Sequence, residues 1–372
     1  MEIKENISLA FYTFYKIGGP ARFFVEAKNS AEVGEALQWA SENGISFFTP
    51  HLLSAANNLR KAQPTKGAGF ILGVGSNILV SDKGFDGLVI RMVSGKLEVG
   101  GCKLVVDSGV MMARAVLKSA QVGLTGFEWG IGVPGTIGGS IRGNAGCFGG
   151  EMKDVVESVR ISQLPIRHSE PFERHSERSE ESQGKLREES IDPSVASLPQ
   201  DDRSMEILEL NNSECEFSYR DSIFKRRPDW IIISATLKLE KGDPKDIQEK
   251  IKKITVERSG KQDIGTKSCG CIFKNIPWER KGINREKLLE RFPELAQFKD
   301  QPNIPASFLI DQAGLKGRRV GKVFISPKHA NFFVNDGGAT AEEVIMLIAI
   351  AKDTVRRKYG ILLEEEIQYV GF

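Results

Sequence analysis

Apolar positions along the chain change period several times, and the changes predict a mixed α+β protein. Over residues 30–43, Val33, Ala36, Leu37 and Ala40 fall on one helical face; Ser30 stands as N-cap and Gly44 can close the helix. Residues 70–80 form an apolar run broken by Gly73 and Gly75. Short strands are predicted at residues 45–48, 88–93, 104–106, 205–210 and 230–239, and helices at residues 111–122 and 244–258. The clearest helix covers residues 340–358. Thr340 and Glu343 form a capping box, Val344, Leu347, Ile348, Ala351 and Val355 make the buried stripe, and Gly360 ends it.

Residues 125–150, TGFEWGIGVPGTIGGSIRGNAGCFGG, fit neither period. Glycines alternate there with Phe127, Trp129, Ile131, Val133, Ile137, Ile141 and Phe148, which no flexible linker carries. Such a segment predicts a backbone that turns tightly and approaches a ligand closely. A glycine-rich turn region without a ligand is the competing reading.

Residues 166–204 change character again. They are rich in charge and poor in apolar side chains, and Arg167-His168-Ser169-Glu170 returns as Arg174-His175-Ser176-Glu177. Too little apolar surface is available to offset ordering entropy, so a disordered surface insertion is expected. A milder insertion is expected at residues 50–69.

Composition narrows the function classes. The chain has 372 residues, enough for two or three domains, and a net charge of +2, which implies no nucleic-acid partner. The longest apolar run, residues 344–351, is too short for a membrane span. The N-terminus lacks a signal-peptide pattern, so a cytoplasmic location is expected. The five cysteines (102, 147, 215, 269 and 271) are spread widely and read as free thiols. Cys269-Gly270-Cys271 lacks partner ligands at zinc spacing, so no metal is expected.

Residues 73–77, Gly-Val-Gly-Ser-Asn, end an apolar strand. Glycines there free backbone N–H groups for an anion, and Ser76 and Asn77 add side-chain donors. No helix signal follows directly, so this is not the dinucleotide fingerprint. Alone it is balanced against a plain turn.

In order, KIGGPA, GVGSNILVSDKGFDGLVIR, GFEWGIGVPGTIGGSIRGNAGCFGGE, YRDSIFK, GCIFKN, LIDQAGLKG, SPKHANFFVN and LEEEIQ make the chain resemble the UDP-N-acetylenolpyruvoylglucosamine reductase (MurB) family of bacterial peptidoglycan synthesis. The resemblance spans nearly the whole chain outside the two insertions. It also extends to the wider set of flavoenzymes with a glycine-rich pyrophosphate loop. It implies a two-part FAD-binding region of that type plus a C-terminal α/β substrate domain. The expected divisions are residues 1–92, 93–240 and 241–372. The implied cofactors are FAD and NADPH, and the implied partner is a small nucleotide-sugar substrate. The implied reaction reduces UDP-N-acetylglucosamine enolpyruvate to UDP-N-acetylmuramate. The chain is expected to act as a monomer.

The resemblance also implies roles. Arg220 would steady the substrate carboxylate; from spacing alone, a surface salt bridge is the stronger reading. Glu366 would help polarise that carboxylate or orient the proton donor. In a strand over residues 362–370, Glu364, Glu366 and Gln368 would share one face and Leu363, Glu365 and Ile367 the other. Cys271 stands where relatives place a serine that delivers the proton; a thiol, with a reference pKa near 8.5, is the easier donor of the two. Cys269 is expected only to pack. Gly73, Gly75, Ser76, Asn77, Gly132, Pro134, Gly135, Thr136, Gly139 and Arg142 would contact FAD, and residues 143–145 would continue that loop. Tyr219, Lys225, Lys274, Asn275 and Gln368 would hold substrate. The short interval after residue 225 implies the subtype without a substrate-covering tyrosine loop. An FAD-dependent oxidase of the same broad fold, acting on another alcohol or sugar, is the alternative function.

Overall fold

The computed structural model describes residues 1–47, 68–163, 207–227, 229–263 and 265–372. The insertion expected at residues 166–204 lies outside the described residues, as does the one at 50–69 except for Ala68 and Gly69, which open the strand Ala68–Leu72.

Two five-stranded sheets and a smaller three-stranded one organise these residues. The first sheet runs Lys4–Ser8, Pro20–Ala27, Phe85–Met92, Ala68–Leu72, Ser46–Phe47. Its first pair is antiparallel and the rest are parallel. Alternate side chains point to opposite faces, so Val25, Ala27, Leu88 and Ile90 meet Val33, Ala36, Leu37 and Ala40 of the helix Ser30–Glu42. Phe24, Phe70, Leu72 and Val89 fill the other face. The helix cap differs from expectation: Asn29, not Ser30, is the N-cap, because its side chain accepts the Glu32 N–H at 2.9 Å.

The second sheet, Ile207–Asn211, Val156–Gln163, Trp230–Lys238, Lys103–Asp107, Leu97–Gly100, is antiparallel throughout. Helices Met112–Gln121 and Pro244–Lys261 belong to its core through Ala115, Val116, Ile247 and Ile251. Trp230–Lys238 reads as a continuous apolar run because both its faces are covered. Ile232, Ala235 and Leu237 join this core, whereas Ile231 and Ile233 join the first sheet's.

The third core holds helix Ala341–Tyr359, the strands Val323–Ile325 and Phe333–Asn335, and helix Ala306–Gln312. Thr340 and Glu343 form the expected capping box, and Gly360 closes the helix at φ 72°. Asp82 reaches this helix from the first part of the chain, accepting the Ala341 N–H at 2.8 Å. Tyr15, Ile17 and Leu79 are buried in the same core. The last strand, Gln368–Val370, pairs in parallel with Ile78–Val80 and so closes the chain's end onto the turn at residues 73–77.

The strand expected over residues 362–370 is shorter. Only Gln368–Val370 is a regular strand; the preceding residues are extended and bonded at single points to residues 272–274. Alternation survives: Leu363, Glu365 and Ile367 are buried inward, while Glu366 lies on the opposite face. Glu365 inside is neutralised by Lys352 Nζ at 2.8 Å. Among the described residues no helix is long and apolar enough to cross a membrane.

Candidate active site

Two glycine-rich turns lie against each other. Ser76 Oγ donates to the Pro134 carbonyl at 3.0 Å. Contact this close excludes side chains: a Cβ on Gly73 would stand 2.7 Å from Thr136 Oγ1, and one on Gly75 2.8 Å from the Tyr12 carbonyl oxygen. Gly75 has φ 62° and Gly135 φ 142°, both in the region that favours glycine. Thr136 caps the short helix Ile137–Arg142, accepting the Gly139 N–H at 3.3 Å. Neither turn carries a carboxylate, and both offer hydroxyls and closely exposed backbone. That donor set fits the diphosphate of FAD.

Other residues assigned to the FAD turns reach further. Asn77 Nδ2 donates to the Glu366 carbonyl at 3.2 Å. Arg142 is buried, which lowers its pKa to about 10, and its Nη1 donates to Gln368 Oε1 at 2.9 Å. Gln368, whose N–H donates to the Asn77 carbonyl at 3.0 Å, thus links the first glycine turn to Arg142.

Beside these turns three side chains from distant segments converge. Arg220 occupies a left-handed conformation at φ 55°, a strained backbone for a residue with Cβ. Its Nη1 donates to the Gly146 carbonyl at 3.2 Å. Its Nε lies 2.8 Å from Glu366 Oε1, an ion pair, yet the N–H is not aimed to form a hydrogen bond. Half-buried Cys271 completes the group. Burial pushes its thiol up to about 12, and Glu366 adds to the shift; Arg220, Arg258 and an Asn331 hydrogen bond pull the other way. Cys269, in contrast, is fully packed in the third core. The two sulfurs face different surroundings because Gly270, at φ 80°, turns the chain between them.

Asn331 holds the Cys271 segment in place. Its side chain accepts the Phe273 N–H at 2.9 Å and donates to the Phe273 carbonyl at 2.8 Å, while its own carbonyl accepts the Ile272 N–H. On the other edge, Ile272 O accepts the Glu366 N–H at 2.7 Å.

The residues assigned to substrate lie along this cluster. Tyr219 Oη accepts the Asn275 N–H at 3.3 Å, and the Arg220 guanidinium stands 5.7 Å from the Tyr219 ring centre. Lys225 Nζ donates to the Arg220 carbonyl. Burial, with Arg142 and Lys274 adding positive charge, lowers Lys225 to about 8.

Arg258 was not visible as a site residue in the sequence. At the end of helix Pro244–Lys261 a basic side chain reads simply as a partner for the helix dipole. The fold lays it over Gly132, where a Cβ would stand 2.3 Å from Arg258 Cδ, and brings Nη1 to 3.6 Å from Cys147 Sγ. Asn331 gave no signal either, beyond its place in SPKHANFFVN.

The paired glycine turns suit FAD, and comparison with known proteins places the chain among FAD-dependent oxidoreductases. An FAD binding domain profile matches residues 55–163. A second profile, UDP-N-acetylenolpyruvoylglucosamine reductase, C-terminal domain, matches residues 262–370. The UDP-N-acetylenolpyruvoylglucosamine reductase of Carboxydothermus hydrogenoformans is 30% identical over 99% of this chain and 94% of its own length. That of Caldanaerobacter subterraneus is 30% identical over 98% and 93%. The crystal structure of UDP-N-acetylenolpyruvylglucosamine reductase (MurB) from Thermus caldophilus superposes with a TM-score of 0.64 at 25% identity, covering 100% of this chain and 99% of that one. The chain belongs to the UDP-N-acetylenolpyruvoylglucosamine reductase family.

Proposed function

We propose that this chain reduces UDP-N-acetylglucosamine enolpyruvate to UDP-N-acetylmuramate, a step of peptidoglycan synthesis, with Arg220, Cys271 and Glu366 carrying the protein's part of the chemistry. The observation behind this reading is the convergence of a guanidinium, a carboxylate and a thiol beside two glycine turns suited to FAD. FAD held at these turns would supply the hydride chemistry, with NADPH as the source of hydride for the enolpyruvyl double bond.

Each side chain has a distinct task. As hydride arrives, negative charge grows on the substrate carboxylate. Arg220 stabilises it through the guanidinium, whose Nε is already paired with Glu366 Oε1 at 2.8 Å. Glu366 fixes the guanidinium through that ion pair. Cys271 gives a proton to the carbon next to the carboxylate. Its raised pKa keeps the thiol protonated through neutral pH, as a proton donor requires. The thiolate left behind lies near the positive charges of Arg220 and Arg258 and regains a proton from solvent. Lys225 and Lys274 supply positive charge for the diphosphate, and Tyr219, Asn275 and Gln368 line the same path.

The division into residues 1–92, 93–240 and 241–372 belongs to the same proposal, with the first two parts for FAD and the third for substrate. A monomer suffices, because every assigned residue comes from one chain. A cytoplasmic location goes with NADPH as reductant.

The test separates two half-reactions. Purified protein is expected to be yellow; anaerobic NADPH should bleach it and UDP-N-acetylglucosamine enolpyruvate should restore the colour. Bleaching by NADPH without restoration by this substrate would overturn the proposal in favour of an oxidase acting on another alcohol or sugar.

A further inference from the structure

We propose that Asn77 is a positioning residue for Glu366, so that the turn suited to the FAD diphosphate also sets the place of the reacting carboxylate. This rests on the reading of Glu366 given above.

Asn77 makes two hydrogen bonds to the end of the chain, one of them across 289 residues of sequence. Its side-chain Nδ2 donates to the Glu366 carbonyl at 3.2 Å, and its backbone carbonyl accepts the Gln368 N–H at 3.0 Å. The register then continues as a regular parallel pair, Gln368 opposite Ile78 through Val370 opposite Val80. The side-chain bond thus lies one step beyond the point where backbone pairing stops.

The opposite edge of the same residue is also held. Glu366 N–H donates to Ile272 O at 2.7 Å, next to Cys271. One peptide unit is therefore tied on its N–H to the proton-donor segment and on its C=O to the diphosphate turn. With both ties made, the backbone from which the Glu366 side chain reaches the Arg220 guanidinium is fixed. Removing the Asn77 amide frees one edge of the residue and leaves a partly buried carbonyl without that partner. A displacement of the order of an ångström at a reacting group is enough to cost about a hundredfold in rate.

The neighbouring side chains do not duplicate this contact. Ser76 Oγ is engaged with Pro134, and Arg142 holds the side chain of Gln368 rather than the backbone of Glu366. Asn77 is the residue in this turn whose side chain reaches the catalytic segment.

The experiment compares Asn77→Ala, Asn77→Asp, Glu366→Gln and the double variant Asn77→Ala/Glu366→Gln as flavin-loaded full chains. The readouts are flavin content, anaerobic bleaching by NADPH, and restoration by UDP-N-acetylglucosamine enolpyruvate. Rates are compared per bound flavin, and Asn77→Ala should slow restoration about tenfold more than it slows bleaching. Asn77→Asp keeps the shape but replaces the donor by an acceptor, so it should match or exceed that loss. It also serves if the alanine variant does not fold. In the double variant, Asn77→Ala should add less than about twofold to Glu366→Gln, because it acts through that carboxylate. Equal slowing of bleaching and restoration per bound flavin in both Asn77 variants, wild-type restoration rates in both, or a full tenfold effect surviving in the Glu366→Gln background would each overturn the proposal. A Glu366→Gln enzyme with wild-type restoration would instead remove the role of Glu366 itself, independently of Asn77.

Discussion

The two glycine turns and the Arg220–Cys271–Glu366 cluster adjoin each other through Asn77, but they are built from different material. The turns work through backbone: Gly73, Gly75 and Gly135 matter for the side chains they lack. The cluster works through side-chain chemistry carried by three segments far apart in sequence. Placing a side chain on a glycine of a turn should change whether FAD is held at all, whereas altering the cluster should leave FAD in place and change one chemical step. Conservative exchange is therefore informative in the cluster and destructive in the turns.

The largest expected effect falls on the cluster. Cys271→Ala removes the proposed donor and should lower turnover about 10²- to 10⁴-fold, the usual span for general acid catalysis, with normal bleaching by NADPH. Cys271→Ser should recover most of it, since a hydroxyl can fill the same role. Stopped-flow measurement of the two half-reactions checks this; full turnover in Cys271→Ala would dissolve the contrast, because the cluster would then lack its donor.

Gly75→Ala should strike the other side of the comparison. A side chain at φ 62° costs about 1–2 kcal/mol, and backbone of Tyr12 and Thr13 within 3 Å adds to it. Flavin content and melting temperature should both fall, as absorbance and thermal denaturation would report. Wild-type flavin content in this variant would show that the turn tolerates a side chain after all.

The smallest effect concerns charge. Lys225, lowered to about 8 by burial and by Arg142 and Lys274, loses its proton as pH rises through that value. Its attraction for a diphosphate is present below pH 8 and lost above it, so kcat/KM should fall severalfold on that limb. Bleaching of the flavin by NADPH should report whether the reductant shares the dependence. Lys225→Arg should move the limb to higher pH, because a guanidinium stays charged there. An unmoved limb would assign it to another group.

Some of this was legible before the fold. The capping box at Thr340, the stripe of helix Ala341–Tyr359 and the alternation around Glu366 all follow from local periodicity, and all are present. The cap at Asn29 was misplaced by one residue because Asn29 and Ser30 are both good caps and only the hydrogen bond to Glu32 distinguishes them. The strand at residues 362–370 was overextended because alternation reports burial, not ladder hydrogen bonds. Arg258 escaped notice because nothing in a helical arginine reveals which glycine it will lie across.

By itself the sequence determined the local elements, the glycine turns and, through its ordered motifs, the family. Those depend on short-range sterics and periodicity, which neighbouring residues set among themselves. Only the tertiary structure decided that Arg220 meets Glu366, that burial raises the pKa of the Cys271 thiol, and that Asn77 ties the turn at residues 73–77 to Glu366. Each of these depends on what chain folding brings close from tens or hundreds of residues away, and on the water it excludes, neither of which is written in the order of residues around any one of them.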